Sequence, residues 1–140
     1  MNLIFFLFTL FFFFHSVGNA GKLIVRVNNF DSRIGLIHFA LYDKPDFFPE
    51  QNGKLLGFAE EVTKVSQEGV IIDNLKEGYY AMAIYHDENS NNEFDTFLSF
   101  PEEKYGFSND AAVFLGPPDF KEASFFLDEG DTVEINIKLR

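Results

Sequence analysis

LKEGYYAMAIYHDENSNNEFDT, residues Leu75 to Thr96, is the stretch on which the fold turns. Leu75, Gly78 and Tyr80 form an L-x-x-G-x-Y corner, the arrangement in which a tyrosine hydroxyl caps backbone at the edge of a β-sandwich. Tyr80, Met82, Ile84 and His86 follow at a spacing of two, so the segment leaving the corner reads as a strand. The polar run HDENSNNEFDT, His86 to Thr96, then ends that strand with the densest group of side-chain oxygens in the chain.

Outward from this stretch the period of two persists. Leu23, Val25 and Val27 alternate with Ile24, Arg26 and Asn28, and the turn formers Asn28, Asn29, Asp31 and Ser32 close that strand. From Ile34 to Tyr42 both parities are apolar, with Ile37, Phe39 and Leu41 on one face and His38, Ala40 and Tyr42 on the other, which predicts a central strand. KPDFFPEQNGK, Lys44 to Lys54, is a loop with Phe47 and Phe48 folded back on the core edge. Phe58 to Val65 and Val70 to Ile72 are the next strand candidates. At the end of the chain Val133, Ile135, Ile137 and Leu139 alternate with polar residues, and Asp128 to Asp131 reads as a hairpin turn joining that strand to Ala123–Leu127. The mixed stretch Tyr105 to Phe120 suits a long structured loop over one end of the sandwich. About seven strands without a sustained helical period predict an all-β, single-domain, antiparallel two-sheet sandwich of immunoglobulin-like type.

The polar run carries the chemistry that can be read locally. Asp87, Asn89, Asn91 and Asp95 fall at positions 1, 3, 5 and 9 of a loop, and Glu93 at position 7 offers its carbonyl, which is the spacing of a single-loop calcium site. Ca²⁺ takes six to eight oxygens, and alternate residues of a tightly wound loop point inward. Position 6 is Asn92 where the motif has Gly, and Asn is the next most tolerant of positive φ. Position 12 is Leu98, so a remote acid such as Glu102, Glu103 or Asp110 must complete the shell.

Three other readings stand beside calcium. Asp87, Asn89 and Asn91 can serve as Asx-turn formers that tie the loop to its own backbone without an ion. Asp87 and Asp95, with His86 as proton carrier, could form a hydrolase carboxylate pair. Phe94 and Phe97, exposed beside the loop, would mark an adhesion module. His38 and His86 lie on strand faces and read as packed or hydrogen-bonded side chains, with no third ligand for zinc. None of the serines sits in a G-x-S-x-G or S-x-x-K setting, so no catalytic motif emerges and the chain reads as non-enzymatic.

Composition narrows the setting. The chain has 140 residues, no Cys and a net charge of −11, which removes disulfides and thiol chemistry and disfavours nucleic acid and anionic lipid as partners. An apolar run from Leu3 to Phe14 has the length of a secretory leader and falls short of a stable membrane span. Gly18 and Ala20 take the small-residue places before a cut, so residues 1–20 read as a signal peptide and 21–140 as the mature domain. The expectation is an exported protein, periplasmic or secreted, with an envelope or extracellular ligand.

GYYAMAIYHDENSNNEFDT at Gly78 to Thr96, YGFSND at Tyr105 to Asp110, FLGPPDF at Phe114 to Phe120 and LIHFALYD at Leu36 to Asp43 together resemble the bacterial exported proteins grouped as domain of unknown function 2141. The resemblance covers nearly the whole mature chain. It implies a signal-bearing β-sandwich related to transthyretin-like and carboxypeptidase-regulatory-like domains, with no activity established for the class. In that family the loop usually reads D-E-N-x-N-G, so Asn92 departs from it.

Overall fold

Alternation places Leu23, Val25 and Val27 on one side of β1 (Gly21–Asn28), where they are almost fully buried, and leaves the other side wet. The computed structural model that shows this describes residues 18–140; the apolar run at 3–14 and most of the expected leader lie outside the described residues. Among the described residues ten strands run in the order β1, β2 (Leu36–Tyr42), β3 (Leu56–Glu61), β4 (Val70–Leu75), β5 (Gly78–Asp87), β6 (Thr96–Phe97), β7 (Phe100–Pro101), β8 (Tyr105–Phe107), β9 (Phe125–Leu127) and β10 (Thr132–Lys138). Two short α-helices, α1 (Val62–Glu68) and α2 (Phe120–Ala123), and 3-10 turns at Gln51–Gly53 and Ser108–Asp110 interrupt them. Among the described residues no helix is long and apolar enough to cross a membrane.

The strands build an all-β sandwich. One sheet has the order β10-β1-β4, and the other β3-β2-β5-β8 with β9 paired to the first residues of β5. β6 and β7 form a separate small hairpin. Ile37, Phe39 and Leu41 from β2 and Tyr80, Met82 and Ile84 from β5 meet Leu23, Val25, Ile135 and Ile137 from the opposite sheet in one apolar core. β2 is central, as its double apolar parity requires, and it begins at Leu36, with Ile34 left exposed. The corner before β5 is present: Tyr80 is buried and its hydroxyl donates to the Lys76 carbonyl at 2.7 Å.

Three local expectations change. Phe58 to Val65 is not one strand, because β3 ends at Glu61 and α1 takes over. Val62 and Val65 are one helical turn apart and both buried, and α1 packs them against the core formed with β1 and β2. Gly69, at φ +71, stops the helix and donates its N–H to Val65 at 2.9 Å. The turn at Asp128–Asp131 forms, with the Asp131 N–H on the Asp128 carbonyl at 3.2 Å, but it is no hairpin. β9 pairs with β5, so the chain crosses to the other sheet and β10 pairs with β1 in parallel, from Lys22↔Thr132 to Asn28↔Lys138.

The last correction concerns the loop after β2. Phe48 packs edge-on against Tyr42, Phe107 and Phe120 at 5.0, 6.0 and 5.8 Å, whereas Phe47 is exposed. With Ala81, Phe107, Ala111 and Ala123, Phe48 and Phe120 form a second apolar cluster on the outer face of the larger sheet. That cluster covers one end of the face and leaves the other end open.

Candidate functional site: a tied polar loop beside an open trough

The loop expected to carry chemistry is organised around Asp87, the last residue of β5, which is fully buried. Its Oδ1 accepts the Asn91 N–H at 3.1 Å, and its Oδ2 accepts the Asn92 N–H at 2.9 Å and His38 Nε2–H at 3.0 Å. Asn89 Oδ1 accepts the Asn91 N–H at 3.0 Å and Asn91 Oδ1 accepts the Glu93 N–H at 2.8 Å, so successive Asx turns wind the chain. Asn92 adopts φ +64 at the place where the motif has glycine.

The amides of Asn89 and Asn91 then converge on Asp95. Asn89 Nδ2 donates to it at 2.7 Å, and Asn91 Nδ2 lies 3.1 and 3.2 Å from its two oxygens. Four of the five expected residues are therefore brought together by side chain, while Glu93 joins through its backbone N–H. Of the remote acids, Glu103 arrives: its Oε2 accepts the Asp95 N–H at 3.1 Å. Glu102 meets the loop only through its backbone N–H, on the Asp95 carbonyl, and Asp110 is engaged elsewhere, accepting the Lys138 N–H at 2.8 Å. Burial, with Asp95 and Asp87 close by, raises the Glu103 carboxyl above its ordinary range, against the lowering effect of the Asp95 N–H. Among the described residues no three His, Asp or Glu side chains form a metal-holding set, because amides stand at two of the inward positions.

Strand parity separates the proposed hydrolase partners. His86 faces the core, fully buried, with Nε2–H donating to the Ile34 carbonyl at 2.8 Å, while Asp87 takes the opposite parity. A carboxylate pair for hydrolysis must share an open cleft, and Asp87 presents no accessible oxygen to one. The histidine that meets Asp87 is His38, forty-nine residues away in sequence, which nothing in the local pattern singled out.

His38 opens onto a second feature that sequence reasoning missed. On the outer face of the larger sheet, register aligns Gly57, Ala40 and Ala83 in one row across β3, β2 and β5. Their small side chains form the floor of a trough of about 420 Å³. The neighbouring row, His38, Tyr85 and Tyr105, is one wall, with His38 stacked on Tyr85 at 4.5 Å and 3°. Phe94 from the loop closes that end, 5.3 Å from Tyr85 and 5.9 Å from Tyr105. Tyr42 stands opposite, its hydroxyl donating to the Pro49 carbonyl at 2.7 Å, and Phe107, in register with Ala83, ends the floor at β8. Burial pushes Tyr42 up to about 12, and burial together with the charges of Asp87, Glu103, Asp95 and Glu93 pushes Tyr85 up to about 12. Phe97 is exposed beyond the loop, and Phe94 is partly covered by its two tyrosines.

The signal that could have found the trough is the run of small residues on the outward parity, Ala40 on β2 and Ala83 on β5, facing each other in register. A family model described as an uncharacterized protein conserved in bacteria, DUF2141, matches residues 25–136. No curated protein and no solved structure matches the chain.

Proposed function

The chain belongs to the DUF2141 family, and from that premise we propose that it is an exported, non-enzymatic binding module of the cell envelope or its surroundings. The observation that carries this reading is the uneven cover of the larger sheet. One end of its outer face is sealed by the Phe48–Phe120 cluster, while the Gly57–Ala40–Ala83 floor is left open between aromatic walls. Concave, mostly apolar sites of this size with a few polar groups are where small ligands bind. The leader-like run supports export, as does β1, whose pairing begins at Gly21, the first residue after the expected cut.

Screening small soluble fragments by amide chemical shift tests the binding part. Hits should cluster at Ala40, Gly57, Ala83 and Tyr85; a screen with no hits, or hits scattered over the surface, ends the proposal. The intact mass of protein recovered outside the cytoplasm should correspond to a chain starting at Gly21, and retention in the cytoplasm refutes export.

Calcium is the second reading, favoured by the position of Glu103. Asp87, Asn89, Asn91, the Glu93 carbonyl and Asp95 would hold the ion, with Glu103 as the remote acid, and Ca²⁺ would supply cross-linking of the loop without chemistry. A cation here would relieve the crowding that raises Glu103. Because folding raises that carboxyl, the folded state binds its proton more tightly than the unfolded state does. The stabilising contribution is therefore full below the ordinary carboxylate range and is lost as pH rises through the raised value. Glu103→Gln should melt higher than wild type at neutral pH without calcium, the gap closing in acid. Millimolar Ca²⁺ should raise the wild-type melting temperature and raise that of the variant less. A wild-type melt indifferent to millimolar Ca²⁺ rejects the ion, and a pH-independent gap rejects the account of Glu103.

A further inference from the structure

We infer that the trough takes a small amphipathic anion, a compound with an apolar ring-bearing body and one anionic head group. This deepens the binding reading and rests on it. Of the chain's 140 residues 22 are acidic, yet no Asp or Glu lines the trough. Its one permanently cationic side chain is Lys54, which folds back across the floor: a Cβ placed on Gly57 would lie 2.9 Å from Lys54 Nζ. Gln51 Oε1 accepts from that ammonium at 2.7 Å and holds it over the β3 end.

The opposite end is negative. Asp87 sits under the His38–Tyr85 stack, and the charges of Asp87, Glu103, Asp95 and Glu93 add to burial, the larger cause, in raising the Tyr85 hydroxyl. An anion entering the trough is therefore drawn to Lys54 and repelled from the loop, which orients it. The body then lies over Ala40 and Ala83, where the floor has no side chain beyond a methyl, against the His38–Tyr85 stack and Tyr105. That wall is preorganised. Asp87 fixes His38 through Nε2–H, and a rigid aromatic wall loses little entropy when a ring packs on it. A neutral apolar ligand would gain the same wall without the ion pair. A cation would be placed against Lys54 or pulled out of the trough toward the loop.

Two fluorescent probes with nearly the same rings separate these cases: 1-anilinonaphthalene-8-sulfonate, which carries a sulfonate, and neutral N-phenyl-1-naphthylamine. The purified native protein should bind the sulfonate at one site, more tightly at low salt and at least tenfold more tightly than the neutral probe. Lys54→Met should weaken the sulfonate about tenfold and leave the neutral probe within about twofold, tenfold being 1.4 kcal/mol. Gly57→Leu should block both probes by filling the floor, and the atoms nearest its Cβ belong to the movable Lys54 side chain, so the fold can take it. Ala83→Leu is the second filler, and melting curves show that each variant is folded.

Equal binding of the two probes with no effect of Lys54→Met overturns the anion inference and leaves the binding module standing. Binding at several sites, or binding unchanged by both fillers, overturns the trough as the site and assigns the signal to exposed apolar tips such as Phe97, Leu98 and Phe114. No binding of either probe, together with an empty fragment screen, removes both readings.

Discussion

Asp87→Ala is expected to cost about 3 kcal/mol and to lower the melting temperature by roughly 10 °C. The reason is the number of donors that lose one acceptor. The Asn91 and Asn92 N–H groups and His38 Nε2–H all point at a fully buried carboxylate. Stripping a charged acceptor from a buried donor costs about 1–3 kcal/mol, less where the donor can take water instead. Asn91 and Asn92 are exposed and can be rehydrated, which keeps the total near the lower end. Asp95→Ala is the contrast. Its amide partners are exposed, and its loss should cost about 1 kcal/mol or less. Urea denaturation gives the two costs, and hydrogen exchange at Asn91 and Asn92 should speed up in Asp87→Ala alone. Equal costs for the two variants would show that Asp87 is not the anchor of the loop. The same variant should also free His38 from its stack on Tyr85, so probe binding in the trough should weaken without any change in the floor.

Gly35→Ala is expected to be the most disruptive single-methyl change in the chain. Gly35 sits just before β2 at φ +83, in the left-handed region where a side chain costs about 1–2 kcal/mol. A Cβ there would fall on the Asp87 carbonyl oxygen and lie 2.7 Å from Glu88 Cα and 2.9 Å from the Glu88 carbonyl oxygen. All three are backbone atoms, so no rotamer change relieves the clash, and β2 must separate from the base of the loop. Adding about 1–3 kcal/mol for overpacking gives a total of roughly 2–5 kcal/mol. Gly57→Ala, whose Cβ has the flexible end of Lys54 as its nearest neighbour, is the matched control and should be nearly silent. A Gly35→Ala melt within a few degrees of wild type would refute the close approach of the two segments.

These two positions also mark the boundary of what sequence reading reached. Asp87 was legible as a loop former because its contacts to Asn91 and Asn92 span four and five residues, a distance set by covalent geometry and turn chemistry. The corner of Tyr80 was legible for the same reason, its acceptor being Lys76. The inward faces of β1, β2 and β10 were legible because side chains alternate along any strand, whatever it pairs with. Whether Asp87 would hold an ion, its own backbone or a distant side chain was not contained in that local pattern. The arrival of His38 and Glu103 depends on which strands stand side by side.

Periodicity and turn residues thus determined that this chain is a sandwich of short strands, where most of them run, and that a polar crown follows Tyr85. Tertiary structure alone decided that β10 runs parallel to β1, that Val62 and Val65 sit on a helix, and that Phe48 rather than Phe47 is covered. It also decided that Gly57, Ala40 and Ala83 line up as one floor. The physical reason is common to all of these. A turn or an alternation is an energy summed over a few neighbouring residues. Partner, register and cover are chosen by the burial summed over whole sheets, and one residue of slip would exchange every inward side chain for an outward one.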